Sequence, residues 1–229
     1  MLSACGGASS TVDPFVATRV IAFGDGFNFV NRSGYGLSTV QTSETNNTLA
    51  GRIAERHGIV VKDAATVAGG LVATGGFSYA TASAKVSDVA TQINTFLTAA
   101  GGVVAKKDLI VIAVGNWDIK AAAATNNTAA IDTATTALVT AIQRLTNAGA
   151  EHVVVIPSIN MARTPWATSS GISRTTIQNL SNSDAASFNR TLNTKLGSAY
   201  QQDRKPILLL DPTTDYNAFA GSVDANGNT

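Results

Sequence analysis

The chain has 229 residues, of which 45% are hydrophobic and only 14% charged, and its net charge is +1. That is enough apolar material for one sizeable core, without the clustered Lys and Arg of a nucleic-acid-binding protein. No run of about 18 apolar residues occurs, so no segment reads as a membrane-spanning helix.

Residues 1–17 read as a flexible tether, with Gly6-Gly7-Ala8-Ser9-Ser10 as its loosest part. Residues 18–229 read as a single domain. Arg19-Val20-Ile21-Ala22-Phe23 is a short buried strand that runs into the tight turn Gly24-Asp25-Gly26. A helix is expected over 46–58, capped by Asn47 and stopped by Gly58, followed by a strand at Ile59-Val60-Val61. The stretch 68–83, rich in Gly, Ala and Ser, reads as a loop. Val86, Val89, Ile93, Phe96 and Leu97 fall at helical spacing, and Gly101-Gly102 ends that helix.

Asp108 to Val114 is the clearest strand, and its unbroken apolar run suits a parallel strand covered on both faces. A long helix spans 128–148, with Ile131, Leu138, Ile142 and Leu145 inward. His152-Val153-Val154-Val155-Ile156 is the fourth strand. Residues 161–182 read as a polar loop, 183–201 as a helix, and 206–210 as the fifth strand. Strands alternating with helices predict an α/β fold, a five-stranded parallel sheet between two helical layers. Ligands in such sheets bind beyond the carboxyl ends of the strands, so the loops beginning at Gly24, Gly115, Pro157 and Asp211 are the ones expected to form a site.

Three stretches then carry a resemblance. Val20-Ile21-Ala22-Phe23-Gly24-Asp25-Gly26-Phe27 is similar to the first block of the GDSL/SGNH hydrolases, whose strand ends in Gly-Asp-Ser-Leu. Ser78-Tyr79-Ala80-Thr81-Ala82-Ser83-Ala84-Lys85-Val86 resembles their second block. Asp108 to Ile119, with Gly115-Asn116-Trp117-Asp118, resembles the third, an apolar strand followed by Gly-x-Asn-Asp. Ala148 to Val155, Thr164-Pro165, Phe188-Asn189 and Leu192 follow in family order. The resemblance implies the flavodoxin-like three-layer architecture of that family and ester hydrolysis without a cofactor or metal.

That chemistry needs a nucleophile, a base and donors for the oxyanion. The resemblance places the nucleophile at Gly26, which has no hydroxyl. It places oxyanion donors at Ala82 and at Trp117, where the family has Gly and Asn. Asn116 stands one place before the Asn position, and a one-residue shift of that loop is not expected. The family's late Asp-x-x-His block should follow the fifth strand, and the sequence to Thr229 contains none. Of the two histidines, His57 and His152 both read as structural. The candidate cleft therefore comprises Gly24, Asp25, Gly26, Ala82, Ser83, Gly115, Asn116, Trp117 and Asp118. Asp25 and Asp118 either hold turns by accepting backbone N–H bonds or form a carboxylate pair. Trp117 either offers a stacking surface or plugs the pocket.

Leu2-Ser3-Ala4-Cys5-Gly6 resembles the lipobox of bacterial lipoproteins, which implies lipidation at Cys5, the only cysteine. The signal peptide that such a site requires is not found ahead of Leu2. The first expectation is a non-catalytic, monomeric lipoprotein of the bacterial cell envelope. It would bind a lipid, glycan or ester ligand in the old cleft and touch the membrane only through Cys5. The alternatives are an active ester hydrolase with another nucleophile, Ser33, Ser78 or Ser83 from nearby loops, and a remnant that folds poorly.

Overall fold

A computed structural model of the chain describes residues 14–30, 48–67, 70–200 and 207–212. The expected lipidation site Cys5, the serine at 33, the cap at 47 and the region where an Asp-x-x-His block was sought lie outside the described residues.

The architecture is α/β, as expected. Among the described residues, six strands form one sheet: β1 (Arg19–Gly24), β2 (Val61–Asp63), β3 (Gly75–Ser78), β4 (Asp108–Ala113), β5 (His152–Ile156) and β6 (Ile207–Leu209). Their order is β2-β3-β1-β4-β5-β6 and every pairing is parallel. The sixth strand is β3, which corrects the five-strand expectation and the loop reading of 68–83. Its glycines disguised it. A Cβ on Gly76 would lie 2.7 Å from Val61 Cα, so only glycine lets β2 approach this closely. Ser78, expected in a loop, is the last residue of this strand.

The helices are α1 (Leu49–Glu55), α2 (Val86–Ala99), α3 (Asn116–Ala123), α4 (Thr128–Asn147), α5 (Pro165–Ser169), α6 (Arg174–Gln178) and α7 (Phe188–Tyr200). The helix expected over 46–58 is shorter, and its observed cap is Thr48, whose hydroxyl accepts from Gly51 N–H. The strand expected at 59–61 starts only at Val61. The expected polar loop 161–182 holds a single 3-10 turn (Met161–Arg163), α5 and α6. Five-residue helices are too short to show a 3.6-residue period. The helix expected from 183 starts at Phe188, because residues 179–183 continue α6 as a wider turn.

Two apolar layers follow from the alternation of β1 and β4. Ile21, Phe23, Ile110, Ile112, Val153 and Val155 face α2, α4 and α7 through Ile93, Phe96, Leu138, Ile142 and Leu192. Val20, Ala22, Leu109, Val111, Ala113 and Ile156 face the other way, where Ala50 and Ala54 of α1 pack. At the amino end of the sheet, Arg19 and the fully buried Asp108 form a bidentate pair, with Nε and Nη2 of the guanidinium donating at 2.7 and 2.5 Å.

Candidate functional site

The site is built from the carboxyl ends of the central strands. Gly24 closes β1 at φ +117, a conformation that L side chains rarely adopt. A Cβ there would sit 1.8 Å from the carbonyl oxygen of Ala113. Gly24 loses its β3 partner because that pairing ends at Ala22 and Ser78. The buried side chain of Gln92, on α2, takes over. Its Oε1 accepts from Gly24 N–H at 2.7 Å and its Nε2 donates to Gly24 O at 3.1 Å. Asn28 holds the other side: its Nδ2 donates to Phe23 O and Val111 O, while its Oδ1 accepts from Ala50 N–H. The sequence reading missed both residues. Gln92 falls one place before Ile93 on an otherwise apolar helix face, and a lone amide at such a place was the available signal.

Asp25 is only 1% exposed. Its Oδ1 accepts from Phe27 N–H at 3.1 Å and its Oδ2 accepts from Asn116 Nδ2 at 3.0 Å. Asn116 is the first residue of α3, and its Oδ1 accepts from Ser158 Oγ at 2.8 Å. Ser158 O accepts from Asn189 Nδ2 at 2.8 Å, and the same amide lies 3.3 Å from Asp211 Oδ1. A polar chain, buried from Asp25 to Asn189 and exposed only at Asp211, therefore joins all four loops that sequence reasoning singled out, those after β1, β4, β5 and β6. Ser158 was not foreseen, because a serine in a loop carries no signal until its partner is known.

The three blocks of the resemblance converge. A Cβ on Gly26 would lie 3.2 Å from Ala82 O, so the first and second blocks touch. Asp25 meets Asn116, joining first and third. Asp118 accepts from Val86 N–H at 3.1 Å, joining third and second and filling a cap position for α2. Gly115, at φ +125, lets the Phe188 ring pack directly on its backbone. Ala82 and Ser83 are exposed, and Trp117 is half-buried. Of the other serines considered, Ser78 is buried and donates to Asn28 O.

Both histidines lie elsewhere. The Phe15 ring centroid is 3.8 Å from that of His152 and 5.8 Å from that of His57, whose Nδ1 accepts from Ala17 N–H. His152 pairs with Leu109, whereas Gly24 pairs with Ala113. Four residues of strand separate them, or about 13 Å. Among the described residues, no three His, Cys, Asp or Glu side chains converge as a metal site would need.

Burial pushes the Asp25 carboxyl up from 3.8 to about 6, with the Phe27 and Asn116 hydrogen bonds opposing and the Asp118 charge adding to the rise. Burial likewise pushes Asp118 up to about 6. The native state thus binds these protons more tightly than the unfolded chain. The associated stability is full below pH 4 and is lost as pH rises through about 6. For Asp25 the loss amounts to about 3 kcal/mol. Asp25→Asn should remove its share, so urea midpoints of the variant should fall less between pH 4 and 7 than those of the native chain. Equal slopes would refute the assignment.

The sequence model of the GDSL-like lipase/acylhydrolase family matches residues 20–221. None of the curated proteins matches the chain. Among solved structures it is similar to a member of the lipolytic protein G-D-S-L family from Veillonella parvula, with 16% identity, 93% of this chain and 88% of that one covered, and a TM-score of 0.48. A Bacillus subtilis protein shares 12% identity at a TM-score of 0.50, over 94% of this chain and 51% of that one. This chain spans about half the length of that second protein, and at such identity the likeness speaks to the fold alone.

Proposed function

Because the chain belongs to the GDSL-like lipase/acylhydrolase family, we propose that it is a member without hydrolytic activity. It keeps the family cleft to hold a lipid, glycan or ester ligand, and it acts as a monomer tethered to the bacterial envelope through Cys5. What carries this reading is the turn after β1. The position that the family gives to a nucleophilic serine is Gly26, half-buried beside Ala82 O, and an acyl-enzyme cannot form on a glycine.

The neighbouring chemistry supports it. Both atoms of the Asn116 amide are engaged, with Asp25 and Ser158. The chain has two histidines, and both pack with Phe15 at the far end of the sheet. Losing the members of a hydrolytic triad typically costs on the order of 10⁴ to 10⁶ in rate.

The test is hydrolysis of p-nitrophenyl acetate by the purified chain, its Gly26→Ser variant and a buffer blank. The native chain is expected to match the blank. Gly26→Ser should do so as well, because a hydroxyl there has no imidazole within reach. Turnover well above the blank by the native chain overturns the proposal, and labelling with a fluorophosphonate would then identify the serine responsible.

A further inference from the structure

The chain contains two tryptophans, and the fold brings both to one ammonium group. Lys120 Nζ lies 3.9 Å from the centroid of the Trp117 ring and 5.3 Å from that of Trp166. Trp117 and Lys120 are one turn apart on α3, and Trp166 is the second residue of α5. All three side chains are half-buried. Among the described residues, no carboxylate lies within ion-pair distance of Lys120; the ion pairs found there use Arg19, Arg52, Lys106 and Lys195.

An ammonium over an indole face gives up part of its hydration in exchange for the ring quadrupole. Its other N–H groups still favour a charged acceptor, and the described residues supply none. The two indoles meanwhile keep solvent-facing surface in a chain with few aromatic residues. The cluster stands at the carboxyl end of β4, next to Asn116 and Asp25, on the side of the sheet where open α/β folds take their ligands.

We propose that Trp117, Lys120 and Trp166 bind a sugar ring carrying a carboxylate, a uronic acid unit of a glycan. The apolar face of the ring stacks on an indole and the carboxylate accepts from Lys120 Nζ. A neutral sugar would leave the ammonium unmatched, and a fatty carboxylate would offer no plane to the rings. This site depends on the indoles and the ammonium and not on the loss of turnover, so the ester assay and the binding assay fail independently.

Because Trp117 and Trp166 are the only indoles, tryptophan emission reports on this site alone. The full chain is titrated with a galacturonic acid trimer, with the corresponding neutral galactose trimer and with octanoate. A saturable emission change is expected with the acidic trimer and a much weaker response with the other two. Lys120→Met keeps most of the stem while removing the charge. It should weaken acidic-trimer binding about tenfold or more, the usual worth of a charged hydrogen bond, and leave the thermal midpoint near that of the native chain. Trp166→Phe should weaken it as well. The absence of a saturable change, an equal response to the neutral trimer or octanoate, or undiminished binding by Lys120→Met would overturn the proposal.

Discussion

Asp108→Ala should lower the stability of the fold by about 3–5 kcal/mol, the usual cost of leaving one partner of a buried ion pair alone. Asp108 is fully buried and accepts three N–H groups: Arg19 Nε at 2.7 Å, Arg19 Nη2 at 2.5 Å and Ala105 N at 2.9 Å. The Arg19 side chain is only 10% exposed, so its guanidinium cannot simply turn to water. Urea denaturation measures the loss. The double variant Arg19→Met, Asp108→Leu should be more stable than Asp108→Ala, since two apolar side chains leave no stranded charge. A single variant that loses less than about 1 kcal/mol would show that the pair contributes little.

Gly24→Ala should be worse than its size suggests, with a loss of at least about 3 kcal/mol from backbone strain and overlap together. The added methyl would meet Ala113 O at 1.8 Å and Ala113 C at 2.7 Å. Relief would require β1 and β4 to part where both carry the site. The control lies two residues on. Among the described residues, Gly26→Ala meets only Ala82 O, at 3.2 Å, and it should cost less than about 1 kcal/mol of stability. If Gly26→Ala proved the more damaging of the two, the geometry described for this turn would be wrong.

The fold was legible wherever one physical signal acted alone. β1 and β4 are six-residue runs buried throughout, and beyond the Arg19 and Asp108 that open them their short apolar stretches, bounded by turn glycines, fit a strand covered on both faces. The inward face of α4 was readable from Ile131, Leu138, Ile142 and Leu145, all fully buried. β3 was not, because Gly75 and Gly76 serve close strand packing and look like loop in composition. α5 and α6 were hidden by their length.

At the site, the sequence showed which four loops would meet, since that follows from a parallel sheet. It did not show the polar chain from Asp25 through Asn116 and Ser158 to Asn189. These residues are far apart in sequence, and each taken alone is an ordinary loop or cap residue. The meeting of Trp117 and Trp166 at Lys120 was invisible for the same reason: helix α5, which carries the second indole, was itself unread.

The wholly parallel sheet also governs when the protein can fold. β1 is central, yet its partners lie far along the chain: Arg19 pairs with Gly75 on one side and with Asp108, 89 residues away, on the other. No strand pair in this sheet can close through a short hairpin, so each requires a long loop to be fixed first. On the ribosome, the most apolar segment of the amino-terminal third emerges well before either neighbour exists. Folding should therefore be slow for a chain of this size, and β1 should be the segment that most needs shielding by a chaperone until β4 has been synthesised.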